Sequence, residues 1–401
     1  MKMNKKLKLA LLLNIAYASH ANVALAQSSS GVAYESELIE ITSLVQQGEL
    51  DQSLKLVNEF LEKFPKSRVA ALVKADILSA MVGDLSAFGA GIVDDLSRKN
   101  FNHELNVRSS WAGSEGRFLK SDLIPESIID MGTDEFVFVG EASSARFFIF
   151  GNNKGKPYLI KDYFMSIGKA GTKKQFEGDN KTPLGLYNVT HEIQGDKLPD
   201  LYGSGAFPVD YPNKVDHWRN RTGYGIWLHG TPSDTYNRAP LSSEGCFVLS
   251  NADYDEVATY MRQVEKPRVL LLDKINWLTE EEHQEKRKQY LQLVNQWAES
   301  WESLDTNKYS EFYDQENFNF GKTDFESWLT RKKTVNSNKS FIQLNLQLQS
   351  MYAYPGEKDM LAFDFKQHYL SDNFQSESDK TIYWKKDKNG KWKIIYEGNQ
   401  A

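Results

Sequence analysis

Apolar residues recur at helical spacing along the first quarter of the chain. Between residues 34 and 85 they form three successive stripes, with apolar positions three or four residues apart, which predicts amphipathic helices. Gly48, Pro65 and Gly83 follow the three stripes, and Gly and Pro commonly end helices. The stripes are Leu38, Ile41, Leu44 and Val45; Leu54, Val57, Phe60 and Leu61; and Val69, Leu72, Val73, Leu78 and Met81. We therefore predict an N-terminal α-helical region over residues 27–100.

A short pattern in this region occurs twice. Gly48-Glu49-Leu50 recurs as Gly83-Asp84-Leu85, at a spacing close to the tetratricopeptide period of about 34 residues. The region therefore resembles a tetratricopeptide-like array of helical hairpins. A stable array needs about three repeats, whereas about one and a half are visible here. An amphipathic bundle that packs on the next domain or on a second subunit is an equally good interpretation.

The apolar spacing changes to two after a polar segment. Residues 101–131 are polar and mixed, and we predict that they form a connector. Short apolar runs separated by Gly, Pro and Asn then predict strands, while Ser250 and Asp253 predict the start of one helix. The predicted strands are 136–139, 145–150, 157–167, 185–190, 225–229, 246–249 and 268–272. This pattern indicates a mainly-β domain over residues 132–275.

Helices precede strands in the last part of the chain. Thr279 and Glu282 form a capping box at the start of a long helix that includes Trp297. Residues 342–348 alternate apolar and polar positions, which predicts a half-buried strand. Asn389-Gly390 predicts a hairpin turn. Helices followed by an antiparallel sheet indicate an α+β domain over residues 276–401.

The N-terminus has the pattern of an export signal. Four lysines within the first eight residues precede or enter an apolar run, and Ala24-Leu25-Ala26 supplies small residues for cleavage before Gln27. The run is shorter than the roughly 20 residues that cross a bilayer, so we predict a cleavable signal peptide over 1–26 and no membrane span after it. Loss of its four lysines takes the formal net charge from −6 to −10. This acidity argues against nucleic acid or anionic lipid as the main partner.

The chain contains a single cysteine, Cys246. An unpaired cysteine is more often a small buried hydrophobic residue than a catalyst. In an exported protein, however, a lone thiol is exposed to oxidation, which favours a chemical role. His229, in a separate segment, is a candidate base for this nucleophile. No paired Cys or His spacing indicates zinc, so we predict no metal and no cofactor.

Four segments of the middle domain together carry a family resemblance. They are Gly178-Asp179-Asn180-Lys181-Thr182-Pro183-Leu184-Gly185-Leu186-Tyr187, Phe207-Pro208-Val209-Asp210-Tyr211-Pro212-Asn213, Gly225-Ile226-Trp227-Leu228-His229-Gly230 and Ser243-Glu244-Gly245-Cys246. In this order they resemble the L,D-transpeptidase (YkuD-type) catalytic domain. The C-terminal part resembles a SnoaL-like, or nuclear-transport-factor-2-like, cone. The whole arrangement is similar to the cell-shape-determining L,D-carboxypeptidase branch of that family.

The resemblance implies a role for each motif residue. Cys246 is the expected nucleophile and His229 the base, and the family pattern implies that the Gly230 carbonyl orients the imidazole. The amides of Gly245 and Cys246 are expected to bind the oxyanion. Ser243 is expected to orient the loop or bind substrate. The remaining candidates, either a substrate-binding segment or merely a turn, are Thr182, Pro183 and Gly185.

This chain departs from the family pattern at two positions. Many members have His before the Gly of the cysteine motif and Arg two residues after the Cys, where this sequence has Glu244 and Val248. The departures leave substrate contacts at these two positions unassigned. They also leave His229 as the imidazole that the motifs support.

The resemblance implies acyl transfer on peptidoglycan tetrapeptide stems in the periplasm. We expect an L,D-transpeptidase, which passes the acyl group from Cys246 to an amine and forms a 3-3 cross-link. The alternative is an L,D-carboxypeptidase, which passes the acyl group to water and trims tetrapeptides to tripeptides. A periplasmic scaffold with an inactive enzyme core is an alternative of another class. The helical and SnoaL-like regions are candidate surfaces for a homodimer or a periplasmic protein partner.

Overall fold

A computed structural model of the chain describes residues 30–83, 87–118, 123–318 and 323–400. The predicted signal peptide lies outside these residues, and so do Asp84 and Leu85 of the repeated tripeptide. The chain forms two compact units. The first is the described part of Met1–Gly113 together with Asp234–Tyr236, and the second comprises Ser114–Ser233 and Asn237–Ala401. No helix in the described part of the chain is long and apolar enough to cross a membrane.

Helices form the first unit, as the apolar stripes predict. The helices of this part of the chain are α1 (Ser30–Gln47), α2 (Leu50–Lys63), α3 (Arg68–Met81) and α4 (Asp95–Phe118). Gly48 ends α1 with a φ of 82°, and the Ser67 hydroxyl caps α3 by accepting from the Ala70 amide. Residues of all three predicted stripes share one core. The tetratricopeptide-like repeat stays a prediction.

Regular structure occupies much of the segment predicted to be a connector. Helix α4 continues to Phe118, and β1 (Ile124–Pro125) and β2 (Ile128–Asp130) follow. Strand β2 is fully buried and pairs with a strand of the C-terminal domain. A three-residue strand is too short for a period to be recognised, so its pairing was not predictable from the sequence.

Strands dominate the middle domain, and each predicted run contains one. They are β3 (Phe136–Glu141), β4 (Arg146–Asn153), β5 (Lys156–Phe164), β6 (Ile167–Gly168), β7 (Gly185–Asn188), β8 (Ile193–Gln194), β9 (Gly205–Pro208), β10 (Trp227–His229), β11 (Leu241–Ser243), β12 (Phe247–Val248) and β13 (Arg268–Leu272). Five form a sheet in the order β5-β4-β3-β13-β7, and four form a second sheet in the order β12-β10-β9-β8. Helix α5 is Lys214–Trp218, and α6 (Asn251–Met261) begins at the predicted Ser250 cap.

The C-terminal domain is an antiparallel sheet with helices, as predicted. Its elements are β14 (Trp277–Leu278), α7 (Glu280–Glu302), α8 (Thr306–Ser310), α9 (Phe325–Asn336), β15 (Ile342–Ala353), β16 (Met360–Ser371), β17 (Phe374–Lys386) and β18 (Trp392–Asn399). The sheet order is β18-β17-β16-β15-β2. The capping box at Thr279 and the hairpin at Asn389-Gly390 are both confirmed.

Buried ion pairs join the middle and C-terminal domains within the second unit. Arg268 of β13 donates from Nη2 to Asp364 of β16 at 2.5 Å and from Nε to Asp134 at 3.0 Å. All three side chains are largely buried, where removal of one charged partner is costly. The five-stranded sheet of the middle domain is therefore fixed to the C-terminal sheet.

Candidate active site

Strand pairing brings the cysteine and histidine motifs together. Strands β10 and β12 are parallel, with Leu228 opposite Phe247 and His229 opposite Val248. Continuing this register by one residue places Cys246 beside Trp227. Side chains alternate along a strand, so residues 227 and 229 point to the same face. Cys246 and His229, 17 positions apart in the sequence, therefore face the same side of the sheet.

The Cys246 thiol lies against the backbone of β10 and the residues before it. Its Sγ–H donates to the Gly225 carbonyl at 3.3 Å, and the backbone of Trp227 also hydrogen-bonds the sulfur. The residue is partly exposed, so a substrate can reach it. The sequence did not indicate Tyr202, whose ring packs edge-on against His229 at 5.0 Å and also contacts Trp227. Tyr202 thus forms one wall of the site.

The histidine has a defined tautomer. His229 is 2% exposed, and its Nδ1 lies 2.7 Å from the Gly230 carbonyl oxygen. A carbonyl can only accept, so Nδ1 carries the proton and Nε2 keeps its lone pair. The backbone carbonyl that the family pattern implied is therefore the observed neighbour of the ring. Nε2 is the nitrogen that can take a proton.

Asn251, which the sequence did not indicate, holds the backbone around Gly230. Its Oδ1 accepts from the amides of Ser204 and Thr231, both at 3.0 Å, and its Nδ2 donates to the Thr231 carbonyl at 2.9 Å. A Cβ at residue 230 would collide with Asn251 Oδ1, so this position requires glycine. Asn251 begins α6 only five residues after Cys246. One amide side chain thereby links the helix to the loop that orients the imidazole.

Burial keeps both Cys246 and His229 neutral in the free protein. Desolvation lowers the pKa of His229 to about 4, against the smaller raising effect of its bond to Gly230. Desolvation raises the pKa of Cys246 to about 11, although the Trp227 bond and the charge of Arg238 lower it. At neutral pH the resting pair is therefore a thiol and an imidazole. A thiol in this state becomes a strong nucleophile only when its proton passes to a base.

The cysteine loop has a conformation that requires glycine. Gly245 has a φ of 132°, and a Cβ there would lie 2.8 Å from the Lys181 carbonyl oxygen. The Ser243 hydroxyl donates to the Cys246 carbonyl at 2.5 Å and accepts from the Gly245 amide at 3.1 Å. The structure therefore assigns Ser243 a position in the loop. It also corrects one expectation, because the Gly245 amide faces Ser243 rather than a substrate oxyanion.

The Thr182 segment supports the cysteine loop from behind. Thr182 is buried, and its Oγ1 accepts from the Gly168 amide and donates to the Gly245 carbonyl, both at 2.9 Å. Pro183 is buried beside it, and Gly185 begins β7, where a Cβ would collide with the Tyr187 ring. The structure places these three residues as supports of the loop and sheet.

We expect Thr182→Val to weaken both folding and catalysis. The change preserves shape but leaves the Gly168 amide and the Gly245 carbonyl without this partner, and a buried unsatisfied group costs about 1–3 kcal/mol. Thermal melting should show a lower Tm, and turnover of the substrate proposed below should fall. Thr182→Ser keeps the hydroxyl and serves as the control. Wild-type melting and turnover in Thr182→Val would contradict this role.

Glu244 and Val248, the two residues that differ from the family pattern, lie in different environments. Glu244 is exposed and pairs with Lys169 at 3.3 Å on the surface. Val248 is buried in β12, opposite His229. Neither side chain supplies a second base. The structure thus gives Glu244 a solvent-facing position and Val248 a place in the core.

Two family profiles match the chain. The L,D-transpeptidase catalytic domain family (YkuD) matches residues 135–270. The Cds6 C-terminal NTF2-like domain matches residues 289–398. These matches confirm the two family resemblances of the middle and C-terminal domains. No curated protein matches the chain by sequence.

Solved structures similar to this chain include proteins from two bacteria. Bd1075 of Bdellovibrio bacteriovorus is 30% identical with a TM-score of 0.61, and the match covers 69% of this chain and 98% of that one. The helical cell shape determining protein Pgp2 of Campylobacter jejuni is 28% identical with a TM-score of 0.55, covering 68% of this chain and 96% of that one. Both similarities extend over nearly the whole of the related chain.

Proposed function

Since the chain belongs to the L,D-transpeptidase (YkuD) family, we propose that it is a cysteine acyl-transfer enzyme that removes terminal D-alanine from peptidoglycan tetrapeptide stems. The observation that carries the proposal is the shared face of Cys246 and His229, with Nδ1 on the Gly230 carbonyl and the Nε2 lone pair left to accept a proton. Substrates of this kind place the enzyme in the periplasm. The alternative of an inactive scaffold does not account for this arrangement.

The first half of the reaction forms a thioester. The Cys246 proton passes to His229 Nε2 as Sγ attacks the carbonyl carbon of the third residue, at the L-centre of diaminopimelate. The negative charge that develops on the carbonyl oxygen is stabilised by the Cys246 amide. The imidazolium then donates its proton to the leaving nitrogen. The C–N bond breaks, D-alanine departs, and the tripeptide is bound to sulfur.

The second half depends on the acceptor. Water loses a proton to Nε2 and attacks the thioester carbon, the C–S bond breaks, and the sulfur regains a proton, which yields a tripeptide. An amine in place of water would yield a 3-3 cross-link. Similarity to the cell shape determining protein Pgp2, and to the L,D-carboxypeptidase branch in overall arrangement, favours water. We therefore propose L,D-carboxypeptidase trimming, with a role in cell shape, as the main outcome.

Mass spectrometry of muropeptides incubated with the full-length enzyme tests this proposal. Tetrapeptide monomers should lose one alanine residue and appear as tripeptides, with free D-alanine in equal amount. 3-3 dimers as the main product would instead assign transpeptidation. Unchanged tetrapeptides, from a protein whose melting curve shows it to be folded, would favour the scaffold.

A further inference from the structure

We propose that Arg238 binds the free carboxylate of the terminal residue that the enzyme releases, and so makes the enzyme selective for stem peptides that end there. The inference rests on the proposed function and adds to it a specificity-determining residue. Neither the motifs nor the family resemblance in the sequence indicated Arg238. It lies between the histidine motif and the cysteine motif.

The backbone around Arg238 is fixed to the catalytic domain. The Arg238 carbonyl accepts from Ser166 Oγ at 2.9 Å, and the Pro240 carbonyl accepts from the Ile167 amide at 2.7 Å. The half-buried side chain returns towards the cysteine loop, where Nη2 donates to the Ser242 carbonyl at 2.5 Å. Ser242 directly precedes Ser243, the residue that holds Cys246 and Gly245. The guanidinium is therefore positioned by the same loop as the nucleophile.

The charge of Arg238 acts on both reacting groups. Desolvation has the largest effect on both pKa values. The positive charge of Arg238 has a smaller effect, and it lowers the pKa of the Cys246 thiol and the pKa of His229. The same field would act on any anion beside the two groups. Lys174 also acts on Cys246, but it is buried against Asp179 with an Nζ–Oδ1 distance of 2.8 Å. Arg238 is half-buried and acts on both Cys246 and His229, so it is the cation to which we assign the substrate anion.

Substrate geometry puts an anion close to the nucleophile. The terminal carboxylate lies one residue beyond the carbonyl that Cys246 attacks, about 3.6 Å along an extended chain. A group that binds this carboxylate must therefore lie within a side chain's length of the sulfur. A guanidinium presents planar N–H donors that match the two oxygens of a carboxylate. A longer stem or a terminal amide would place a neutral group there instead.

Two synthetic tetrapeptides that differ only at the C-terminus test the inference. One ends in D-alanine with a free carboxylate, and the other ends in D-alaninamide. We expect the wild-type enzyme to prefer the acid in kcat/KM by about tenfold to a hundredfold, the scale of one charge-assisted pair. Arg238→Gln should reduce this preference to near unity, mainly by slowing turnover of the acid. Arg238→Lys keeps the positive charge but loses the planar pair of N–H donors. It should retain part of the preference for the acid.

Controls separate recognition from general effects on the site. Lys169→Gln removes one positive charge beside the same loop and should leave the acid-to-amide ratio unchanged. If Arg238 affected only the pKa values of Cys246 and His229, Arg238→Gln would slow the turnover of both peptides equally. An acid-to-amide ratio unchanged from the wild type would overturn the inference. Equal rates for acid and amide in the wild type would overturn it without any variant. Turnover of neither peptide by the wild type would overturn the proposed function as well.

Discussion

Cys246→Ala will abolish the release of D-alanine from tetrapeptide stems. The substitution removes the sulfur that forms the thioester. Among the described residues, the face of β10 and β12 that Cys246 shares with His229 has no second nucleophile. Background hydrolysis is all that should remain. The measurement is the rate of tripeptide formation by mass spectrometry, compared with that of the wild type at equal protein concentration.

Stability provides the control for this variant. The residue is small and partly exposed, so the change should shift the free energy of unfolding by no more than about 1 kcal/mol. Melting curves of the two proteins should nearly coincide. Retained turnover in a folded Cys246→Ala protein would contradict the thioester mechanism. Loss of turnover with a collapsed melting curve would call for Cys246→Ser, which keeps the size of the side chain.

His229→Ala will slow formation of the thioester by about a hundredfold or more, the usual scale of a general base. The pKa of the Cys246 thiol is about 11, so few molecules carry a thiolate at neutral pH without a base. His229→Gln fills more of the buried site and separates lost chemistry from lost packing. Single-turnover measurements with excess enzyme report the step directly. Wild-type rates in both variants would assign the base to another group.

The pH dependence of kcat/KM carries a signature of His229. Burial lowers its pKa to about 4, so the imidazole is a neutral base at pH 5 and above and is protonated only near pH 4. Activity should hold from neutral pH down to about 5 and fall below it, whereas an ordinary histidine with a pKa near 6.5 would lose activity earlier. An acid limb centred near pH 6.5 would contradict the buried environment of His229.

The lowered pKa of His229 also makes the stability of the fold depend on pH. In the unfolded chain His229 takes up a proton near pH 6.5, while in the folded protein it resists protonation until about pH 4. The unfolded state therefore binds more protons in this window, and stability falls as pH drops through it. His229→Gln should show a weaker loss of stability over the same range.

Local patterns in the chain were sufficient to predict most elements and the identity of the reacting pair. The apolar stripes of α1 to α3, the capping box at Thr279 and the alternation in β15 depend on neighbouring residues, so they are visible in any window of the sequence. The motifs around His229 and Cys246 are likewise short. The family resemblance that they carry is confirmed.

Contacts between distant segments were not predictable in this way. Strand β2 joins the C-terminal sheet through residues more than 200 positions away, and Asn251, Tyr202 and Arg238 belong to no motif that the sequence indicated. Their positions depend on packing, which no local period encodes. The Gly245 amide was expected to face the substrate because the motif suggested it. In the structure the Gly245 amide donates to the Ser243 hydroxyl instead.

The sequence alone thus predicted a helical region, a mainly-β catalytic domain and an α+β domain, with one thiol and one imidazole as the candidate reacting groups. These follow from residue type and short-range order. The tertiary structure decided that both groups lie on one face, that Nε2 is the ring nitrogen able to accept a proton, and that burial leaves the pair uncharged at neutral pH. The shared face arises from strand pairing and the neutrality of the pair from desolvation, and both exist only once the distant segments have packed together. The bond of His229 to Gly230 is local, but Asn251 holds the backbone beside it from another part of the chain.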